Sequence, residues 1–343
     1  MPHSQQPSIP NRLKDQVGKQ PPVIKVDLTG KTICVLGANT GIGFQTCKHF
    51  ATMNPGRIIL ACRSEAKGRE AVQRLSTETG YTKGELWIID LANFESVKRF
   101  ATQFEQDGGR LDILICNAAI EPGKYVSTQD GWESTLQVNY ISTSFAALLL
   151  LPTLLRTAND YRTVSRLVFV SSELHYDVII EEDARANRGS ILRTLSNEKY
   201  LKKASRMRQQ YSVTKLLNVF FARALTAQLS PSAPVVVNAV APGFTVSELR
   251  RDLAGAFGAM VKVLEKLLAI SAEEASRRYI WAAVGPADTR GLYINRCEVK
   301  PASDFVIRGD GPKVQQDVWV ETMTVLARLD PRINATAERY LSS

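Results

Sequence analysis

The sequence predicts an α/β fold in which a doubly wound parallel sheet carries helices on both faces. Short, continuously apolar runs alternate with segments of helical periodicity. Such runs are typical of strands that are buried on both faces. The first run ends in glycines that open the first helical segment. Because ligands of such folds bind outside the carboxyl ends of the strands, candidate functional residues are expected there.

The strands and helices can be assigned in chain order. The apolar runs predict strands over Thr32–Leu36, Ile58–Cys62, Leu86–Ile89, Leu111–Cys116, Leu167–Val170, Val235–Val240 and Leu292–Asn295. Helical patterns occupy residues 65–79, 94–107, 130–158, 211–229 and 245–285, and a last helix begins near Val314. No repeat or linker divides the chain, so residues 27–343 are predicted to form one domain with a C-terminal, substrate-side extension over 286–343. Residues 1–26 are rich in Pro, Gln, Ser and Lys, which predicts a flexible arm.

Composition narrows the class of protein. A content of 44% hydrophobic and 22% charged residues is typical of a soluble globular chain. Five cysteines without a CxxC pair indicate a reducing compartment. The apolar run Phe145–Leu155 is too short to span a bilayer, no transmembrane segment is expected, and we expect a cytoplasmic protein.

The net charge of +9 suits an anionic cofactor, whereas no basic run interleaved with aromatics indicates nucleic acid. No metal is expected, because no cluster has ligand spacing.

A glycine-rich turn between the first strand and the first helix is the first candidate cofactor site. Glycines allow a tight turn and a close approach of the backbone to a pyrophosphate, and the helix N-terminus offers free N–H groups to it. A turn without a ligand is the alternative. The candidate cofactor-binding residues of this glycine-rich turn are Gly37, Asn39, Thr40, Gly41, Ile42 and Gly43.

The end of the second strand indicates which dinucleotide is preferred. An acidic residue there would bind the ribose 2′-OH of NAD, whereas an arginine accommodates the 2′-phosphate of NADP. The residue is Arg63, with Lys67 one helical turn later, which predicts NADP(H). A solvated surface role for Arg63 is the alternative. Further cofactor-binding candidates at the ends of the third and fourth strands are Asp90, Leu91, Asn117 and Ala118.

Two residues four positions apart on a predicted helix suggest acid–base chemistry. The spacing of Tyr211 and Lys215 places both side chains on one helix face. A nearby ammonium favours the phenolate and lowers the pKa of a tyrosine toward the working range. Tyr211 could then give a proton to a carbonyl oxygen or take one from an alcohol. Alone, this pattern occurs often by chance.

Two further candidates lie on other elements. Ser172 follows the fifth strand, where its hydroxyl could hold a substrate oxygen beside Tyr211. Asn139 lies on the helix after the fourth strand, where its amide could position a water that links Lys215 to solvent. Capping or helix packing is the alternative for each residue. Their order on the expected elements favours a joint catalytic role.

These motifs resemble the short-chain dehydrogenase/reductase family. Over residues 28–249 the sequence shows GANTGIG, NAA, VN, VSS, YSVTK and APG in the family's order. The resemblance implies a seven-stranded, Rossmann-type sheet, an NAD(P)(H) cofactor and a tetrad of Asn139, Ser172, Tyr211 and Lys215, with Lys215 also bonded to the nicotinamide ribose. Pro242, Gly243 and Ser247 match the segment that faces the nicotinamide. Leu36, Thr40 and Ala119 depart from the usual pattern without removing a reacting group.

The resemblance extends to a subgroup and to an activity. The ACRS and SSELHY segments resemble retinol-dehydrogenase-like proteins and fungal reductases of secondary-metabolite biosynthesis. They imply an NADP(H)-dependent oxidoreductase, either a ketone or aldehyde reductase or an alcohol dehydrogenase. The alternatives are an NAD-dependent alcohol dehydrogenase and a non-catalytic dinucleotide-sensing interaction protein. Because the helices of Asn139 and Tyr211 commonly form dimer faces in this family, a homodimer is an expectation that the insert before Tyr211 could prevent.

The segment between Ser172 and Tyr211 is longer than the family's usual connection. It comprises residues 173–210, and its second half is strongly basic. One interpretation is a lid that admits a bulky or acidic small-molecule substrate, and the other is a solvated helical surface. His175 and Tyr176 either line the substrate pocket or pack into the protein.

Overall fold

The computed structural model describes residues 4, 6–186, 189–246 and 264–342. Within these residues the strands are β1 Thr32–Leu36, β2 Arg57–Cys62, β3 Gly84–Ile88, β4 Ile113–Cys116, β5 Ser165–Val170, β6 Val235–Ala241, β7 Tyr293–Asn295 and β8 Glu298–Lys300. They form one sheet in the order β3-β2-β1-β4-β5-β6-β7-β8, and β1 to β7 are parallel. The doubly wound sheet is therefore confirmed, and the predicted strand ends agree within two residues.

An eighth strand departs from the expected seven. Strand β8 pairs antiparallel with β7 across the two-residue turn Arg296-Cys297, in which both residues have positive φ angles of 53° and 57°. Two-residue hairpins favour this twisted turn, but they usually place Asn or Gly in it. The turn therefore carries no sequence signal, and β8 was missed.

Helices cover both faces of the sheet. They are α1 Ile9–Val17, α2 Gly41–Ala51, α3 Glu65–Thr79, α4 Phe94–Gln106, α5 Ser134–Asp160, α6 Glu182–Arg185, α7 Ile191–Leu195, α8 Glu198–Leu201, α9 Ala204–Gln228, α10 Ala272–Val284, α11 Asp304–Ile307, α12 Gly311–Leu329 and α13 Arg332–Tyr340. One apolar layer contains Phe44 of α2 and Ile280 of α10, and the opposite layer contains Phe100 of α4 and Phe145 of α5. The core therefore lies on both sides of the sheet, as its buried strands require.

Helix α5 is the core helix of the second layer. Within the described residues it alone is long and apolar enough to cross a membrane, and 94% of its most apolar window is buried inside the protein. It contains a π-helical turn, Gln137–Ile141. Such turns are rare and occur frequently at functional sites.

The N-terminal segment contains a fold element where the sequence predicted only a flexible arm. Helix α1 packs on the domain, and its residue Gln16 is buried. Three apolar residues of α1, by contrast, are exposed: Ile9, Leu13 and Val17. Because the polar residue is the buried one, hydrophobic periodicity could not indicate how this helix docks.

The insert 173–210 packs against the C-terminal extension. It forms a 3₁₀ turn, Glu173–Asp177, followed by α6, α7, α8 and the first turns of α9. Ile191, Leu192 and Leu195 of α7 are buried in the core, and the backbone N–H of Leu192 donates to the Glu321 carboxylate of α12 at 3.1 Å. Neither a lid nor a solvated surface describes α7, which is a structural part of the core.

Candidate active site

The glycine turn after β1 has the close packing that a dinucleotide cradle requires. A Cβ atom on Gly43 would lie 2.3 Å from the Gly37 carbonyl oxygen, and one on Gly37, whose φ is +78°, would lie 2.8 Å from the Ala118 Cα. The Asn117 amide donates to the carbonyls of Leu36 and Gly37 at 3.1 and 3.0 Å. The turn after β1 is thus locked against the end of β4, at the point where the strand order reverses.

The start of α2 leaves polar groups available to a ligand. Thr40 is the N-cap of α2, yet its side chain makes no capping bond to the helix. Helix N-termini bind phosphate through their free N–H groups and dipole. Asn39, Gly41 and Ile42 lie in the same turn and are partly exposed. The residues present therefore fit a pyrophosphate.

The residues that are predicted to select NADP over NAD lie just after the end of β2. Arg63 and Lys67 are exposed, and neither side chain has an ion pair within the described part of the chain. Gly68 allows α3 to pack closely here, because a Cβ on it would lie 2.3 Å from Leu86 Cδ1. At the end of β3, Asp90 accepts the backbone N–H of Ala92 at 2.9 Å, and Leu91 is buried. The structure therefore leaves two exposed cations just after the end of β2.

The end of β5 is joined to α9 through Lys215. The Lys215 ammonium donates to the Val170 carbonyl at 2.9 Å, and the Ser171 hydroxyl donates to the Lys215 carbonyl at 2.7 Å. The Asn218 amide also donates to Val170 O, at 3.2 Å. Lys215 is only 1% exposed, and this burial lowers its pKa to about 7, while Glu121 opposes the shift. A lysine with this environment is a candidate for function.

Tyr211 and Lys215 lie together as their spacing predicted. The Lys215 Nζ atom is 5.4 Å from the centroid of the Tyr211 ring, and Tyr211 is 8% exposed. Ser172, the next residue but one after Val170, is half-buried, and its hydroxyl accepts the N–H of Leu174 at 3.2 Å. The hydroxyl proton of Ser172 is not used in that bond.

Asn139 connects the end of β4 to α9 from its π-helical turn. Its Oδ1 accepts the Ile120 N–H at 2.8 Å, and its Nδ2 donates to Ile120 O at 3.0 Å and to the Thr214 hydroxyl at 3.2 Å. We expected this amide to position a water. Both of its hydrogens are donated to protein oxygens, those of Ile120 and Thr214, and the role in positioning a water stays a prediction.

His175 and Tyr176 are packed rather than pocket-lining. His175 is fully buried, its Nδ1 lies 2.7 Å from Ser172 O, and its Nε2 accepts the N–H of Ser303 at 3.2 Å. Burial lowers its pKa to about 4, so the ring is neutral at pH 7. The Tyr176 hydroxyl donates to Pro301 O at 2.7 Å. Both residues hold the backbone just after Ser172.

A buried arginine near Gly243 was not predicted. Gly243, whose φ is +80°, lies against Arg278, since a Cβ there would be 2.5 Å from the guanidinium. Arg278 donates to Asn295 Oδ1 at 2.6 Å and to Gln20 Oε1 at 2.8 Å. Burial lowers the pKa of Arg278. Its position in α10 gave no sequence signal, because its partners lie 17 and 258 residues away.

The predicted site residues that the structure describes converge at the carboxyl edge of the sheet. The loops after β1, β4, β5 and β6 carry the glycine turn, Asn117-Ala118, Ser172 and Pro242-Gly243, respectively. Ser247 lies outside the described residues. The edge therefore combines a tightly packed glycine turn with a buried tyrosine–lysine pair.

Comparison with known proteins gives consistent matches. Residues 31–181 match a family model described as short chain dehydrogenase. The chain is 31% identical to the short chain dehydrogenase/reductase dmxR8 of Cryptosporiopsis sp., over 94% of this chain and 98% of that protein. It is 32% identical to the short-chain dehydrogenase anuD of Penicillium roqueforti, over 94% and 84% respectively. The short chain dehydrogenase from Shigella flexneri shares the fold with a TM-score of 0.56 at 22% identity, over 78% and 91%.

Proposed function

Because this chain belongs to the short-chain dehydrogenase/reductase family, we propose that it is an NADP(H)-dependent oxidoreductase that interconverts a carbonyl compound and an alcohol, mainly as a ketone or aldehyde reductase. The observation that carries the proposal is the burial of Lys215 beside Tyr211. Burying an ammonium costs free energy, which the hydrogen bond to the Val170 carbonyl and the charge of Glu121 offset only in part, because the pKa of Lys215 is still lowered. A catalytic use explains why the chain keeps one at the end of β5.

The side chains at this edge have separable roles in the proposed reaction. When bound, the nicotinamide supplies or accepts the hydride. Tyr211 gives its proton to the carbonyl oxygen, and the Lys215 ammonium stabilises the phenolate that remains. Ser172 and Tyr211 together hold the substrate oxygen. Asn139 fixes the distance between the end of β4 and α9 through its bonds to Ile120 and Thr214.

The cofactor would be held along the same edge. The turn Gly37–Gly43 would bind the pyrophosphate, and Arg63 and Lys67 the 2′-phosphate. Asp90, Leu91, Asn117 and Ala118 would contact the adenosine half and the ribose. Lys215, Pro242 and Gly243 would lie at the nicotinamide end, together with Ser247.

Consumption of reduced cofactor tests the proposed activity. We expect the purified protein to oxidise NADPH in the presence of ketones or aldehydes, and NADH more weakly, as followed at 340 nm. A clear preference for NADH and alcohols would favour an NAD-dependent alcohol dehydrogenase. Cofactor binding without turnover of any carbonyl or alcohol would instead indicate a dinucleotide-sensing protein.

Arg63 offers a test of the cofactor preference. Exchanging Arg63 for Asp removes a cation from the 2′-phosphate site and adds a repelling charge. Because a hydrogen bond to a charged group contributes about 1.5–3 kcal/mol, kcat/KM for NADPH should fall about 10- to 100-fold relative to NADH. Arg69→Asp is the matched control, since Arg69 is exposed on α3 and pairs with Glu65. If Arg63→Asp kept the wild-type preference for NADPH, Arg63 would not contribute to binding of the 2′-phosphate.

We propose that the chain is monomeric, in contrast to the homodimer that the family resemblance implies. Helix α12 packs on α9, with the Trp319 and Phe221 rings 5.4 Å apart. It also reaches α5, because the hydroxyls of Thr322 and Tyr140 lie 2.7 Å apart. Helix α13 covers another part of α5. Light scattering should give the mass of one 37.9 kDa chain, and a mass twice that would contradict the proposal.

The proposed setting of the reaction is the cytoplasm. The five free thiols support a reducing, cytoplasmic environment. Resemblance to fungal reductases supports a step in secondary-metabolite biosynthesis, in which a small-molecule carbonyl or alcohol is the substrate. Neither setting changes the chemistry proposed for Tyr211.

A further inference from the structure

Helix α1 is hydrogen-bonded to the chain segment that follows Gly243, at the proposed nicotinamide end of the site. Gln16 is 5% exposed, and its amide makes three bonds to backbone groups of that segment. Nε2 donates to Phe244 O at 2.7 Å and to Leu268 O at 2.8 Å, and Oε1 accepts the Phe244 N–H at 2.9 Å. Phe244 directly follows Gly243. One side chain of the N-terminal segment therefore joins residue 244 to residue 268.

The same helix is tied to the residue after Ser172. Arg12 bonds both carboxylate oxygens of Asp177, at 2.7 and 2.8 Å, and lies 3.8 Å from Glu173. Glu173 in turn accepts a bond of 2.7 Å from the Asn295 amide, which is also bonded to Arg278. Helix α1 thus contacts both the segment that follows Ser172 and the segment that follows Gly243.

A cavity of about 450 Å³ lies between helix α1, the turn Glu173–Asp177 and the residues Phe244 and Leu268. Most of its lining is apolar, and the Arg12 guanidinium pairs with the carboxylates at its border. Small-molecule sites commonly have volumes of 300–1,000 Å³, a mainly apolar lining and a few polar groups. The lining residues are Ile9, Arg12, Leu13, Gln16, Glu173, Asp177, Phe244, Leu264 and Leu268.

We propose that α1 forms one wall of the substrate site and that this cavity takes the apolar ring or chain portion of the carbonyl substrate. The occupant is inferred from chain continuity, because the lining residues Glu173 and Phe244 directly follow Ser172 and Gly243 in the sequence. Gln16 is then a positioning residue, since it fixes Phe244 and Leu268 while touching no reacting atom. This inference rests on the proposed oxidoreductase function for the identity of the occupant.

Filling the cavity from α1 tests the proposal by binding alone. The probe is prodan, a neutral naphthyl ketone whose fluorescence shifts to the blue in an apolar site. Leu13→Trp should weaken prodan binding to the full-length protein at least about tenfold, because the larger side chain fills space that the probe would occupy, and small changes of fit in an apolar pocket alter affinity by about 10-fold or more. Val17→Trp is the matched control, since Val17 is exposed on the same helix and lies outside the cavity lining. Equal effects of the two variants, or no prodan binding to the wild-type chain, would overturn the proposal.

Kinetics then separate the cavity from the catalytic edge. With 1-tetralone as a two-ring ketone and propanal as a small aldehyde, Leu13→Trp should raise KM at least about tenfold for 1-tetralone only. Loss of prodan binding in this variant, with no carbonyl turned over by the wild type, would refute the proposed function while leaving the cavity site intact. An equal rise of KM for both carbonyls would refute the cavity as a site for the larger substrate.

Gln16 provides the second variant set. Gln16→Ala removes all three backbone bonds and should raise KM for 1-tetralone about tenfold, with kcat and the KM for NADPH within about twofold of wild type. Gln16→Glu keeps an acceptor for Phe244 but cannot donate to two carbonyls, so it should resemble alanine. Asn11→Ala, on an exposed position of α1, is the control. A fall in kcat for propanal in Gln16→Ala would assign Gln16 a general structural role instead.

Discussion

Replacing Tyr211 by Phe is expected to lower kcat for carbonyl reduction by about 10²–10⁴-fold, the usual contribution of a positioned general acid. The substitution removes only the hydroxyl, and the ring can stay 5.4 Å from Lys215 Nζ in its 8% exposed position. NADPH binding should therefore remain near the wild-type value. Single-turnover kinetics and a fluorescence titration of NADPH measure the two quantities separately.

Tyr140→Phe is the control for this experiment. Tyr140 follows Asn139 in the π-helical turn and is also buried, but its hydroxyl contacts Thr322 of α12. Losing that bond costs about 1 kcal/mol of stability and should leave kcat unaffected. If Tyr211→Phe also retained full turnover, the proton would come from another group and the tetrad assignment would be wrong.

The parts of the fold that the sequence predicted are those in which burial and pattern agree. Strands β1, β2 and β4 to β6 are almost fully buried, so their apolar runs identify them. Strand β8 is a three-residue edge strand with exposed positions, and α1 docks through a glutamine. The hairpin of β8 lacks the usual Asn or Gly turn residues, and the bonds of Gln16 reach residues more than 200 positions away, so hydrophobic periodicity records neither element.

The same distinction applies to the candidate site. Tyr211 and Lys215 are four residues apart on one helix, so their proximity follows from helix geometry alone. Thr214, Arg278 and Gln16 act through partners on other segments, and only the folded chain brings those together.

Two basic residues of the insert form ion pairs that the sequence does not indicate. Arg206 pairs with Glu181 and Asp183, and Arg185 pairs with Asp310 of the C-terminal extension. Counting charges along residues 185–208 leaves out every one of these acids. These two arginines therefore contribute to packing between the insert and its neighbours, whereas Lys199, Lys202, Lys203 and Arg208 are exposed, as the solvated-surface interpretation expected.

Replacing Lys215 by Met is expected to abolish activity and to stabilise the protein at the same time. Loss of the ammonium should lower kcat by at least about 100-fold, because the Tyr211 phenolate loses its neighbouring charge. The unfolding temperature should rise by about 2–5 °C, since a buried cation is replaced by an apolar chain of similar length. The Val170 carbonyl keeps a partner in this variant, because Asn218 also donates to it.

The pH dependence of the free energy of unfolding tests the same prediction independently. Burial lowers the pKa of Lys215 from its ordinary 10.5 to about 7 in the folded chain. Between those two values the unfolded chain holds a proton that the folded chain has released, so the free energy of unfolding of the wild type rises with pH. Below about pH 7 both states are protonated, and the full cost of burying the charge remains. The advantage of Lys215→Met should therefore be largest below pH 7 and shrink toward pH 10.

Chemical denaturation at pH 6, 8 and 9.5 measures this difference, with Lys199→Met as the control because Lys199 is exposed on α8. A wild type that unfolds at a higher denaturant concentration than Lys215→Met at pH 6 would show that the ammonium stabilises the fold and is kept for structure. A less stable wild type with a shrinking deficit would show the opposite. The chain would then retain a destabilising charge at the end of β5 because the chemistry at Tyr211 requires it, as expected when stability and activity oppose each other at one residue.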